Sequence, residues 1–321
     1  MFDWQNLVIT LLPGDKTPEA VLRQNSLAPV MGELTKWAKE YGMWEDRVKA
    51  TAFTGVCTAP AHTDHEIKMA IARHALWFYS LDDYIDRNQR LLKDKEVSYL
   101  DRQLAGLVPG LELMPDLNMP KEAWSILLAN AFNNMLEKLA ILWQKHPQKD
   151  WLLQNVKAQA IRMILAMREE LCISFDFNVP SLATYVELAQ YSIGVRAVAS
   201  VTIGMEANPA EVWQICEPDI IRAMRIVRLA NDLGNYTLEI EEKKITGITC
   251  ALVALGYTEP FQYTDGSPQV TTARNIVKNR LDSELTDFGK NLEQTNFSFW
   301  LKAVTALALT MYSKGNYLIP S

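Results

Sequence analysis

Apolar residues recur at three- to four-residue spacing along most of the chain, and runs alternating apolar with polar residues are scarce. That period belongs to amphipathic helices, so the pattern predicts an all-α fold. The predicted helices run from Val30 to Glu40, Asp64 to Tyr84, Lys121 to Lys145, Gln148 to Ile173, Ser181 to Gly204, Glu211 to Lys244, Thr271 to Leu292 and Phe297 to Ser313. Ser181 follows Pro180 as an N-cap, and Gly14, Gly42, Gly110 and Gly256 fall where the periodicity lapses. Leu107 to Pro120 reads as the main loop of the middle. With no fixed-period repeat, low-complexity tract or long linker, one helical domain over residues 1–321 is expected, residues 1–28 forming a loosely packed N-terminal extension.

Composition narrows the function. The chain has 321 residues, of which 49% are hydrophobic, enough for a sizeable core. A net charge of −6 with scattered basic residues argues against a nucleic-acid surface, and an anionic substrate would need local positive help. Cys57, Cys172, Cys216 and Cys250 lie far apart without metal-type spacing and read as reduced core thiols. The start is not signal-like, and the apolar stretch Phe299 to Tyr312 is broken by Lys302 and shorter than the ~20 residues a bilayer needs. A soluble, cytoplasmic protein with no transmembrane segment is expected.

Two polar faces interrupt the apolar pattern. In Leu81-Asp82-Asp83-Tyr84-Ile85-Asp86, carboxylates directly follow the run Ala75-Leu76-Trp77-Phe78-Tyr79. Asp82 and Asp86 are one helical turn apart, with Phe78 and Tyr79 a turn earlier on the same side. A solvated helix end is the ordinary explanation of such a cluster. The aromatic run favours a cation, because carboxylates beside buried surface need one, and Mg2+ takes carboxylate and phosphate oxygens. The second face lies in Asn231-Asp232-Leu233-Gly234-Asn235-Tyr236-Thr237-Leu238-Glu239, after Ile226-Val227-Arg228-Leu229-Ala230. Asn231, Asn235 and Glu239 fall at i, i+4 and i+8, so three oxygen-bearing side chains share one face. Asparagine is a weak helix former, a poor choice for a merely exposed stripe.

Together these residues resemble the bacterial class I terpene synthases. Asp82, Asp83 and Asp86 are similar to that family's aspartate-rich motif, and Asn231, Asn235 and Glu239 to its second metal motif, with Asn235 where Ser or Thr is usual. Pro180 to Leu188 followed by Ile193-Gly194-Val195 resembles the segment entering the broken central helix, and Ser313-Lys314-Gly315-Asn316-Tyr317 the last helix. The resemblance covers roughly residues 30 to 317. It implies a single-domain α-helical barrel or bundle with both metal faces across its mouth, three Mg2+ ions and an isoprenoid diphosphate substrate. It is also compatible with a homodimer. The implied metal ligands and catalytic residues are Asp82, Asp83, Asp86, Asn231, Asn235 and Glu239.

The chain departs from the family in how the diphosphate would be held. The family's sensing arginine would fall at Ala189 or Gln190, and its terminal Arg-Tyr pair is absent, because no arginine follows Arg280. Substitutes are Arg196, equally explained by a salt bridge, Lys243 of the pair Lys243-Lys244, equally explained by a solvated helix end, and Tyr312, Tyr317 or Lys314. Losing one such contact would cost on the order of 2–4 kcal/mol, so an active but slow, open-lidded enzyme is expected.

A carbocation formed by ionisation needs a dry pocket with aromatic faces. Phe78, Tyr79 and Ala75 are candidate lining by spacing. Phe53, Val198, Gly194 and Tyr317 are candidates by resemblance, and for all of them ordinary core packing is the competing explanation. The small Ala75 and Gly194 favour a C20 substrate, geranylgeranyl diphosphate or a bicyclic C20 diphosphate, with farnesyl diphosphate next. A prenyltransferase would carry a second aspartate-rich motif, which Asn231-Asp232-Leu233-Gly234-Asn235 is not. A decayed, non-catalytic diphosphate-binding protein is the remaining alternative.

Overall fold

The computed structural model describes residues 17–43, 45–87, 124–176, 178–290 and 292–313. The expected loop from Leu107 to Pro120, and Lys314 and Tyr317, lie outside the described residues. Among those residues the regular structure is entirely helical, as the periodicity predicts. The α-helices are α1 (Pro18–Glu40), α2 (Val48–Cys57), α3 (His65–Arg87), α4 (Trp124–Leu142), α5 (Lys149–Asp176), α6 (Leu182–Ala189), α7 (Val195–Thr202), α8 (Pro209–Glu241), α9 (Gly247–Ala254), α10 (Pro268–Asp287) and α11 (Asn296–Ser313).

The first helix corrects the expected N-terminus. α1 begins at Pro18, with the Thr17 hydroxyl accepting from the Ala20 N–H at 3.3 Å, and runs through Pro29. Residues 18–28 of the expected extension are thus helical, with Ala20 and Arg23 buried. Pro29 is a natural helix-start signal, which is why the apolar pattern places the beginning at Val30; burial against neighbouring helices outweighs the hydrogen bond it removes.

The described chain divides into two compact units. One, ending at Ile161 and including Ser200–Val212, contains α1 to α4. Its core gathers Leu34 and Trp37 from α1, Phe53 and Val56 from α2, Met69, Ala72 and Leu76 from α3, and Phe132 and Leu139 from α4. Polar contacts set the register. Trp77 Nε1 donates to the Leu128 carbonyl at 3.0 Å while its ring lies 4.7 Å from Phe132, and Trp37 Nε1 donates to Asn134 Oδ1 at 3.1 Å.

The other unit comprises Arg162–Ala199 and the chain from Trp213 onward. Its core is built from Tyr185 of α6, Met224 and Leu229 of α8, Ile248 and Leu252 of α9, Val277 of α10, and Phe297 and Trp300 of α11. The predicted helix from Ser181 is present but broken. Ser181 caps α6, accepting from the Thr184 N–H at 3.1 Å, α6 stops at Ala189, and α7 restarts after Gly194, whose φ of 75° suits glycine. The thiols follow burial with one correction: Cys57, Cys216 and Cys250 are buried, whereas Cys172 is exposed. Burial pushes the Cys57 thiol up to about 12, which keeps it protonated.

Candidate metal and diphosphate site

On α3 the residues of the aromatic-to-acidic stripe lie on one continuous helix. Ala75 and Phe78 are buried, Tyr79 and Asp82 sit at the edge of the core, and the side chain of Asp86 lies outside the described residues. The Phe78 and Tyr79 rings are 5.0 Å apart. Asp83 has a specific partner: Arg47 reaches it with Nη2 at 2.7 Å and Nε at 3.0 Å, in the fork geometry that guanidinium and carboxylate share. The same guanidinium stands 5.8 Å from the Tyr79 ring centre. Burial pushes the Tyr79 hydroxyl up to about 12, against the opposing pull of Arg47. Sequence reasoning missed Arg47, which sits just ahead of α2, itself an unpredicted helix.

The second face assembles on α8. Asn231 Nδ2 donates to Glu239 Oε1 at 3.1 Å, and Asn235 Nδ2 donates to Asn231 Oδ1 at 2.8 Å. The three side chains therefore converge, and both asparagines are buried. A row of amide oxygens ending in a carboxylate is a donor set for a hard divalent cation. No group of three or more His, Cys, Asp and Glu side chains placed to hold a metal occurs among the described residues. The α8 face is built mainly from amides.

Beneath this face is a polar cluster that the sequence alone did not resolve. Arg228, one turn before Asn231, pairs its Nε with Asp232 Oδ1 at 2.9 Å and its Nη1 with Glu170 Oε2 at 3.5 Å, and donates through Nη2 to the Tyr185 hydroxyl. Asp232 is fully buried and also accepts from the Tyr185 hydroxyl at 3.1 Å and from the Gly247 N–H at 2.8 Å. Burial pushes the Asp232 carboxyl up to about 6, with Arg228 pulling it back down. Burial works against the Arg228 charge, but Asp232, Glu170, Tyr185 and Glu239 together hold the guanidinium above its ordinary value. One signal was available: Arg228 is a lone cation inside the apolar run Ile226 to Ala230.

The remaining candidates are more dispersed. Arg196 is buried, with Nη1 2.7 Å from Glu217 Oε1 and its guanidinium 5.1 Å from the Trp213 ring centre, the salt-bridge alternative for that residue. Lys243 is exposed just past the end of α8, with a left-handed φ of 57°. Tyr312 is buried, and its backbone lies so close to Gly234 that an added Cβ would stand 2.6 Å from the Tyr312 carbonyl oxygen. Gln190, at one of the two positions where the family's sensing arginine would fall, accepts from Arg225 Nε at 3.0 Å. Phe53 and Val198 are buried. A shallow cleft between α3 and α4, lined by Ala70, Arg73, His74, Met135 and Leu139, lies more than two helical turns before Asp82 and is separate from that stripe.

Comparison with known proteins defines the class first. The described architecture matches 2-methylisoborneol synthase from Streptomyces coelicolor A3(2), solved with Mg2+ and geranyl-S-thiolodiphosphate, at a TM-score of 0.63 and 12% identity over 91% of both chains. It matches linalool/nerolidol synthase from Streptomyces clavuligerus at 0.60 and 14% identity, covering 91% of this chain and 96% of that one. The SVS_A2 protein from ancestral sequence reconstruction matches at 0.60 and 12% identity, over 90% of this chain and 85% of that one. The fold is that of the class I terpene synthases.

The sequence then gives the family. Residues 73–260 match the model of terpene synthase family 2, C-terminal metal binding, and the chain belongs to that family. No curated protein matches it in sequence. The matched segment holds Asp82, Asp83 and Asp86 together with Asn231, Asn235 and Glu239.

Proposed function

We propose that this protein is a class I terpene cyclase that ionises an allylic isoprenoid diphosphate with the help of Mg2+ and cyclises the resulting carbocation to a terpene hydrocarbon or alcohol. The observation that carries this reading is the hydrogen-bonded row Asn231, Asn235 and Glu239 on α8, inside the segment that matches the family. Asp82 and Asp86 on α3 are the proposed carboxylate ligands, with Asp83 beside them. The resemblance implies three ions with diphosphate bound.

When bound, Mg2+ would supply positive charge to a leaving diphosphate. The protein's own groups do the rest. Asn231 and Asn235 present neutral oxygens, so this face adds little negative charge near an anionic substrate, while Glu239 supplies one carboxylate. Arg228 and Asp232, beneath that row, tie α8 to α5, α6 and α9 through Glu170, Tyr185 and the Gly247 N–H. Phe78 and Tyr79 offer aromatic faces below Asp82, suited to exclude water and stabilise a cation. Arg196, Lys243 and Tyr312 remain the proposed diphosphate contacts. For chain length we infer geranylgeranyl or a related C20 diphosphate before farnesyl diphosphate, on the small Ala75 and Gly194.

The test is incubation with geranyl, farnesyl and geranylgeranyl diphosphates plus Mg2+, followed by gas chromatography and diphosphate release. Cyclic products lost on Asp82→Ala and on Asn231→Ala support the reading. No release from any substrate would leave only the fold and the decayed-synthase alternative.

A further inference from the structure

We propose that Glu170 is a positioning residue that locks the break between α6 and α7 to the helix carrying the Asn231, Asn235 and Glu239 face. The carboxylate projects from α5 and spends its two oxygens on different partners. Oε1 accepts from the Ser192 hydroxyl at 2.8 Å, and Oε2 faces Arg228 Nη1 at 3.5 Å. Ser192 lies inside the break, two residues before Gly194, where the chain leaves helical geometry at a φ of 75°. Arg228 lies one turn before Asn231 and is in turn fixed by Asp232, which also accepts from the N–H of Gly247 at the start of α9.

The consequence is mechanical. A helix break lacks the regular ladder that holds a helix together, so its shape is set by whatever side-chain bonds reach it. Glu170 provides one, and its other oxygen ends on the α8 guanidinium. Moving the break relative to α8 breaks either the 2.8 Å hydrogen bond or the ion pair. The Ser192 hydroxyl also lies 2.9 Å from the Ala189 carbonyl, so the last turn of α6 takes part in the same arrangement. Groups that orient metal ligands from behind typically change metal affinity or activity 10–100-fold when removed. This inference rests on the reading of the α8 face as a cation site, but the tether is measurable without it.

Hydrogen exchange followed by mass spectrometry on the full chain, without ligand, decides the tether. Glu170→Gln keeps the shape and the acceptor for Ser192 but presents an amide to Arg228, and Ser192→Ala removes the other bond. Each variant is expected to speed exchange across residues 190–194, and Glu170→Gln also across 228–235, with 268–287 unchanged as an internal control for folding. In turnover assays, Glu170→Gln is expected to raise the Mg2+ concentration for half-maximal rate by about tenfold, a shift that loss of folded protein alone would not produce. Wild-type exchange in 190–194 for both variants, or faster exchange there with 228–235 unchanged in Glu170→Gln, overturns the tether. A wild-type enzyme inactive on every diphosphate overturns the function while leaving the exchange result to decide the tether.

Discussion

Arg47 holds Asp83 through two near-parallel contacts of 2.7 and 3.0 Å. The pair is partly exposed, with side-chain exposures of 28% and 17%, so its energetic worth is modest, but its fork geometry ties α3 to the residue just ahead of α2. The proposed division of labour is that Asp82 and Asp86 serve the cation while Asp83 acts chiefly through Arg47.

That division predicts unequal mutants. Asp82→Asn should lower kcat/KM by on the order of 10²–10³-fold, whereas Asp83→Asn and Arg47→Ala should each cost about tenfold. The double variant should be no worse than either single one, because both remove one pair. Steady-state diphosphate release checks this, and additive losses from Asp83→Asn and Arg47→Ala would show that Asp83 has a separate role.

The α8 row predicts a tolerated change beside an untolerated one. Asn235→Ser keeps an oxygen at the middle position and should retain activity within about tenfold. Asn231→Ala removes both the acceptor for Asn235 and the donor to Glu239, and should raise the Mg2+ requirement sharply. A Mg2+ titration of both variants gives the comparison.

Gly234 lies between Asn231 and Asn235 against the backbone of Tyr312. A methyl group there would stand 2.6 Å from a carbonyl oxygen and 3.1 Å from the Cα, atoms that cannot rotate away. Gly234→Ala should therefore destabilise the protein by about 1–3 kcal/mol by forcing α11 outward, measured as a lower urea midpoint. An unchanged midpoint would mean that α11 shifts without cost.

His74 predicts a pH dependence of stability. Its imidazole is buried beside Trp77 and Phe132, and burial lowers its pKa to about 4 from the ordinary 6.5. The folded state keeps it neutral where the unfolded chain would protonate it, so stability from this residue is full above pH 6.5 and is lost as pH falls towards 4. The loss is on the order of 3 kcal/mol. Denaturation at pH 7 and pH 4.5 should show it, and His74→Phe should reduce the difference; an equal pH effect in that variant would assign it to other groups.

Legibility in the sequence followed amphipathicity. α3, α5 and α8 were readable because one side of each is polar, and the Asn231, Asn235 and Glu239 row could be read from spacing along α8. α2 and α9 were not. Val48–Cys57 is buried at nearly every position from Thr51 onward, so no polar stripe marks its period, and its threonines satisfy themselves along the helix: Thr51 Oγ1 donates to the Arg47 carbonyl at 2.9 Å and Thr54 Oγ1 to the Ala50 carbonyl at 3.0 Å. Gly247–Ala254 is similarly apolar all round, and its start is written in the Thr246 and Thr249 capping box. A helix buried on every side looks in sequence like a strand or any other core segment.

The sequence by itself determined the helical class, the acidic stripe ending at Asp86 and the oxygen row on α8, because each depends on residues three or four apart on one helix. It also carried the family, through residues 73–260. Only the tertiary structure decided which charges meet. Arg47 with Asp83, and Glu170 with Ser192 and Arg228, are contacts between elements separated by tens of residues. Pairing across such separations is set by how buried faces pack and by the need of each buried charge for a partner, which no local spacing encodes.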